Sequence, residues 1–392
     1  MSREPGPDDP CPCGSGKKLK FCHGTVAKHR KEVIKKIPRL LEMQSELQKP
    51  LRLTSWPQME VEAFGKKLCA VGGKLYESPK NEPFHRFLIN VLFEVLGTEW
   101  YQEQLSIPAQ SLTLCHMIFQ WWVELNEQVE RVRPDPNFEG PVSVPVTGNT
   151  QELLVLADDV YQLEHALITS PPLIDRLRKP TEFQGARYEI LAASIMARCA
   201  FKIEFIQDTA TKRPEFVATA KVGGKQIAVE AKSRHREGVL HQPGQQRDSI
   251  SRADIARLFK KALDKVTDGL PFVIFIDLNL PATPNVRTEE KHWLHETQTL
   301  LENWKQRKPE QLQRVSGVVL TNFGWHYHRE QNLPPNEFIM IPFESCNHPL
   351  EEKTWLTLRR ALDEYGFIPD EEEHRREIKT RYPEFAPRNP KK

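Results

Sequence analysis

Apolar residues recur at two periods along the chain, and the change from one to the other divides it. Over 26–49 the positions Val33, Ile34, Ile37, Leu40 and Leu41 fall near i, i+3, i+4 and i+7 in a charged background. That spacing predicts a solvated or partner-binding helix, which Pro38 kinks or splits. Residues 84–132 are rich in Leu, Phe, Trp and Ile, and Ile118, Trp121, Trp122 and Leu125 keep helical spacing, which predicts helical core. Phe119, Trp121 and Trp122 would suit stacking on bases, but such a stripe is in the first place a buried face. The proline-bearing stretch 133–150 separates this region from a further helix over 151–167. Beyond the helical run that begins RYEIL at Arg187, the period shortens to two at Phe201, Ile203 and Phe205, the mark of a strand. The segment RPEFVATAKVGGKQIAVEAKSR then places Gly223-Gly224 between two alternating runs, the signal of a two-residue hairpin turn. An amphipathic helix over 251–266, through Ile255, Leu258, Phe259, Ala262, Leu263 and Val266, leads to a continuous apolar run at 272–278 suited to a buried strand. A further strand at 315–321 extends the sheet. The fold class expected is mixed α/β, a central mixed sheet flanked by helices, with a helical middle region and a small N-terminal knuckle.

The hairpin carries a chemical expectation. If Val222 pairs with Lys225, then Phe216 lies opposite Ala231, Ala218 opposite Val229 and Ala220 opposite Ile227, which makes one largely apolar face. On the other face Glu215 lies opposite Lys232, and Val217 opposite Glu230. Glu215 and Glu230 are then diagonal neighbours with Cα atoms roughly 7 to 8 Å apart. Two carboxylates can share one hard divalent cation such as magnesium, which takes oxygen ligands at about 2.1 Å and keeps several waters. Lys232 reaches the same place.

Charge and cysteine content narrow the setting. The 392 residues hold 55 basic against 53 acidic side chains, which argues against a general polyanion binder, so any nucleic-acid contact must come from a local patch. No apolar run approaches the roughly 20 residues of a membrane span, and MSREPGPDDP lacks the apolar stretch of a secretory signal, so a cytoplasmic protein with no membrane partner is expected. In that reducing compartment the clustering of three of the seven cysteines within 11–22 suggests metal. Cys69, Cys115, Cys199 and Cys346 show no ligand or nucleophile spacing. The segment PCPCGSGKKLKFCHG offers Cys11, Cys13, Cys22 and His23, a donor set suited to a closed tetrahedral zinc site, with Gly14, Gly16 and Gly24 supplying backbone freedom. So short a segment has no core of its own, and the metal would have to fold it. Residues 9–25 resemble the SEC-C motif, found at the C-terminus of the SecA translocation ATPase and in many bacterial proteins. Its four ligands align with Cys11, Cys13, Cys22 and His23, and the resemblance implies a docking or nucleic-acid-touching accessory.

Residues 182–343 resemble the PD-(D/E)xK nuclease superfamily, whose restriction endonuclease-like core runs helix, three-stranded meander, helix, strand. Pro214-Glu215 and Glu230-Ala231-Lys232 carry the resemblance, with Glu189 on the preceding helix as the frequent extra acid. Glu215 stands where the family usually has Asp, which lengthens that side chain by one methylene. The resemblance implies that Glu215 and Glu230 hold a magnesium or manganese ion and that Lys232 orients or helps deprotonate the attacking water and stabilises charge on the phosphate. Lys212, Arg213, Lys221, Lys225, Arg234 and Arg236 surround the hairpin as a basic rim for a DNA or RNA backbone. His235 and His241 follow the motif on a loop. The organisation expected is a zinc knuckle over 1–25, a helical region over 26–150, a nuclease-like domain with N-terminal helices over 151–350, and a C-terminal helix and tail over 351–392. The function expected is metal-dependent phosphodiester hydrolysis, with the knuckle docking a protein partner or nucleic acid. The alternative from another class is a non-catalytic adaptor on a degenerate nuclease fold, and a translation- or secretion-linked accessory is a third reading drawn from the knuckle alone.

Overall fold

The computed structural model describes residues 8, 9, 18, 59–63, 66–135, 138, 140, 142–168, 170–206, 213–240, 244–245, 252–328 and 333–368. Cys11, Cys13, Cys22, His23, the helix expected over 26–49, Lys212 and His241 lie outside the described residues. Contacts divide the chain into two compact units, one taking in Pro57–Glu82 and the other Pro83–Lys392.

In the first unit, strands β1 (Met59–Ala63), β2 (Lys66–Val71) and β3 (Lys74–Pro79) form an antiparallel meander. Strands therefore stand where a helical region was expected. Val71 pairs with Lys74 across Gly72-Gly73, and Gly72 takes a φ of 57°, so this Val-Gly-Gly-Lys makes the two-residue turn that a glycine pair permits.

The second unit opens with helices α1 (Phe84–Leu96), α2 (Thr98–Leu105), α3 (Met117–Val132), α4 (Gly148–His165), α5 (Pro171–Leu177) and α6 (Phe183–Arg198). Gly97 ends α1 at a φ of 87°, and Thr147 caps α4 by accepting the Thr150 N–H at 3.3 Å. Phe119 and Trp121 are buried, and Trp122 packs edge-on against Phe93 and Tyr101, so the aromatic stripe is core, as its spacing suggests. Helix α4 is buried nearly all round, including Asp158 and Asp159; Arg198 of α6 answers both, at 2.7 and 3.4 Å.

A six-stranded sheet follows: β4 (Phe201–Phe205), β5 (Phe216–Ala220), β6 (Gln226–Ser233), β7 (Phe272–Asp277), β8 (Gly317–Asn322) and β9 (Glu337–Pro342), in spatial order of sequence. The first three are antiparallel, β6, β7 and β8 run parallel, and β9 returns antiparallel. Helices α7 (Arg252–Leu263) and α8 (His292–Arg307) make the two crossovers. Helix α9 (Glu352–Asp363) follows the last strand. All six residues of β7 are buried, as expected for a parallel strand covered on both faces. One face packs Ala228, Phe272, Ile274, Ile276, Val318 and Leu320 with Ile255 and Phe259 of α7 and Leu294 of α8. On the other, Tyr188 of α6 hydrogen-bonds Thr321 Oγ1 at 2.8 Å. The molecule is a mixed α/β protein with helices flanking a mixed sheet.

The hairpin register differs from the expected one by two residues. Ala218 pairs with Ile227 and Phe216 with Val229, and the Ala220 N–H bonds the Lys225 carbonyl at 2.7 Å. The loop is thus 221–224, four residues rather than two. Side chains alternate with a period of two, so the slip leaves every residue on its expected face and changes only its partner.

Candidate functional site

Glu215 immediately precedes β5. Its carbonyl accepts the Ile206 N–H at 3.0 Å, which continues the β4–β5 ladder past the end of the strand. Carrying the observed β5–β6 register one step further brings Glu215 abreast of Glu230, rather than diagonal to it. The two carboxylates are therefore closer neighbours than the expected register allowed. Lys232, two residues along β6, projects from the same face and its Nζ lies 3.0 Å from Glu215 Oε1 and in contact with Glu230 Oε1. The three residues named from sequence do converge.

A fourth member comes from elsewhere. Lys265, just past the end of α7, places Nζ 2.8 Å from Glu215 Oε1 and 3.1 Å from Glu230 Oε1. Two ammonium groups thus face two carboxylates. Glu189 stands on α6, where a fork of two hydrogen bonds from Arg176 of α5 holds it at 2.7 and 2.8 Å. Burial pushes the Glu189 carboxyl up and the Glu215 charge adds to this, which together outweigh the Arg176 fork. Glu189 feels the charges of Glu215 and Lys232, while its direct ion pair is with Arg176.

Burial separates the two central acids. Glu230 is wholly enclosed, whereas the Glu215 side chain keeps 17% of its surface, Lys232 18% and Lys265 28%. Desolvation, and then the charge of Glu215, pushes the Glu230 carboxyl up to about 8. For Glu215 desolvation acts in the same direction, but the Lys232 and Lys265 ammoniums outweigh it and hold the carboxyl below its ordinary value. Neither oxygen of Glu230 has a hydrogen bond of good geometry, although both lysines stand close. A buried carboxylate faced by ammonium groups, beside a second carboxylate, is an oxygen donor set that would suit a hard cation. Among the described residues no three His, Cys, Asp or Glu side chains converge as a metal site, so waters would fill the remaining positions.

The expected basic rim does not hold together. Lys221 and Lys225 lie at the loop end of the hairpin, five strand residues or roughly 16 Å from the carboxylates, and Lys225 pairs there with Glu351. Arg236 is buried at 4% exposure; it donates to the Asn279 carbonyl at 2.9 Å and to the Tyr327 hydroxyl at 2.7 Å, so a polymer backbone has no access to it. Arg234 is turned to Asp254 at 3.0 Å. Arg213 is exposed, two residues before Glu215. The rim fails because alternation along the chain sets which face a residue takes, but only the fold decides which end of the sheet it reaches.

Sequence reasoning also missed a buried polar network at the C-terminal ends of β6 and β7. Arg187 contacts Glu152, whose Oε1 lies 2.7 Å from His326 Nδ1; His326 Nε2 is 3.2 Å from Asn279 Oδ1. Asp277 accepts from Ser233 Oγ at 2.8 Å and from the Asn279 N–H at 3.0 Å. These partners come from α4, α6, the sheet and the turn after β8, and each looks like an ordinary surface residue in sequence. The network ties the helical layer to the strand ends.

Cys115, Cys199 and Cys346 are unbridged thiols, and Cys69 is buried. No helix among the described residues is long and apolar enough to cross a membrane. Comparison with curated proteins and with solved structures found no match. The SEC-C motif matches residues 9–25, the segment of Cys11, Cys13, Cys22 and His23, and three thiolates with one imidazole make that match consistent with structural zinc.

Proposed function

We propose that this chain is a metal-dependent nuclease of restriction endonuclease-like architecture, with an N-terminal zinc knuckle that docks nucleic acid or a protein partner. One observation carries the reading: Glu215, Glu230 and Lys232 meet at one point on the meander of a helix, three-strand, helix, strand succession. Glu215 and Glu230 would hold magnesium or manganese. Such an ion, when bound, acidifies a coordinated water and offsets charge on the phosphoryl oxygens. The chain's own contribution is positional. The β5–β6 ladder fixes the spacing of the two carboxylates, the apolar wall of α7 excludes water from the Glu230 side, and the Lys232 ammonium presents a positive charge where a phosphate would meet the acids. Arg176 fixes the buried Glu189 carboxylate with its two-pronged hydrogen bond.

The second reading, a non-catalytic adaptor on the same scaffold, is favoured by the neutralisation of both carboxylates by lysines. Cleavage assays on single- and double-stranded DNA and RNA with magnesium or manganese separate the two. A nuclease loses cutting by at least about 100-fold in Glu230→Gln and Lys232→Ala, with circular dichroism unchanged. If no substrate is cut, or if Lys232→Ala cuts as fast as the parent, the nuclease reading is rejected and an adaptor that keeps its binding after Glu230→Gln takes its place.

A further inference from the structure

We propose that Lys265 is a resident counter-ion at the cation position between Glu215 and Glu230, and that a divalent ion enters this pair only by displacing its ammonium. The inference rests on the cation-site reading above and adds to it the residue that governs occupancy. Lys265 Nζ bridges Oε1 of Glu215 and Oε1 of Glu230, at 2.8 and 3.1 Å. A divalent ion bridging the pair through these oxygens, or close beside them through the Oε2 atoms, would meet that ammonium, and cations in contact repel strongly in so enclosed a place. With Glu230 ionised, as a bound cation requires, two carboxylates against two ammoniums sum to zero. Adding a dication without losing an ammonium would leave two uncompensated positive charges, whereas the departure of one ammonium leaves one.

Of the two lysines, Lys265 is the one built to leave. Lys232 stands inside β6, where the ladders to its neighbours fix the backbone and its side chain is 18% exposed. Lys265 lies two residues beyond the last residue of α7, held by one helical-type bond from its N–H to the Ala262 carbonyl at 3.0 Å, and 28% of its side chain already meets solvent. Its four-carbon stem can swing the ammonium outward without moving the helix, toward water on the side where Asp264 is exposed. Glu230, by contrast, is sealed and cannot turn to a new partner. The pair is therefore a carboxylate site with a movable plug, and the plug comes from the crossover helix rather than from the sheet.

The test measures manganese binding to the full chain by electron paramagnetic resonance, in the parent, Lys265→Met and Lys265→Gln. The expected result is at least about tenfold tighter binding in both variants, abolished when Glu230→Gln is added. A second readout uses the parent protein alone: manganese should raise the acylation of Lys265 by an amine-reactive reagent, scored by mass spectrometry against exposed Lys202. Unchanged affinity in both variants, or unchanged labelling of Lys265 at saturating manganese, overturns the proposal. Tighter binding in the variants with no cleavage by any form upholds the plug and rejects the nuclease reading. Cleavage lost in Glu230→Gln but manganese affinity indifferent to Lys265 does the reverse, and absence of manganese binding in every form rejects both.

Discussion

His165 shows how far burial alone can move a side chain. It ends α4 wholly enclosed against Tyr161, with ring centroids 4.4 Å apart, and burial pushes its pKa down to about 3 although Asp158 pulls the other way. In the unfolded chain the imidazole takes a proton below about 6.5, and in the folded chain only near 3. Its contribution to stability is therefore complete above pH 6.5 and is lost as pH falls, at up to about 1.4 kcal/mol per pH unit. Asp159 has the opposite sign: its carboxyl is pushed up to about 7 by burial, so its contribution declines as pH rises from about 3.8 to 7. The difference between the parent and His165→Gln isolates the first effect. Urea denaturation between about pH 6.5 and 4.5 should show the parent losing stability faster than the variant, and parallel pH profiles would rule this out. The site follows the same rule of neighbours. Glu230 and Lys232 are two apart on one strand, so alternation alone puts them together. Lys265 meets Glu215 across 50 positions, and Arg176 meets Glu189 from another helix, contacts that no local period encodes.

At the scale of elements, one tetrapeptide makes two different turns. Val71-Gly72-Gly73-Lys74 closes a two-residue loop, whereas Val222-Gly223-Gly224-Lys225 belongs to a four-residue loop closed one pair earlier, between Ala220 and Lys225. A glycine pair permits a tight turn without requiring it, and what selects the register is the fit of the flanking strands. In β5 and β6 the apolar Phe216 and Ala218 settle against Val229 and Ile227. That is why element types along 201–278 were legible while pairings were not. It is also why the β1–β3 meander went unread: its Gly72-Gly73 signal follows the unbroken apolar run Leu68-Cys69-Ala70-Val71, which does not alternate. Gly223 and Gly224 take φ values of 83° and 64°, and a Cβ added at either would meet nothing within 4 Å. Gly224→Ala should therefore cost about 1 kcal/mol from backbone strain alone, without steric conflict. Thermal denaturation checks this; a loss well above about 2 kcal/mol would mean that the loop packs more tightly than it does here.

At the scale of the whole molecule, the chain combines a large mixed α/β unit with a short cysteine-rich N-terminal segment that matches a known motif. The sheet order follows sequence order throughout, and β6 is the hinge of the topology, antiparallel to β5 and parallel to β7. The acids lie beside that change of direction. The N-terminal segment invites an independent measurement. Metal analysis of the purified chain should return about one zinc per molecule, and Cys22→Ser should lower that by roughly an order of magnitude. Zinc content unchanged by Cys22→Ser would remove the knuckle from the proposal while leaving the carboxylate site untouched.

A hairpin whose faces survive a slip of two obeys an arithmetic of parity. A slip of the β5–β6 pairing by an even number of residues keeps Glu215 and Glu230 on a common surface and alters only their spacing. A slip by one rolls one strand over, sends its acid into the hydrocarbon of the opposite face and leaves the other stranded with its lysines. Because the buried apolar face penalises that roll, residues added within 221–224 are taken up by the loop, and the two acids stay side by side.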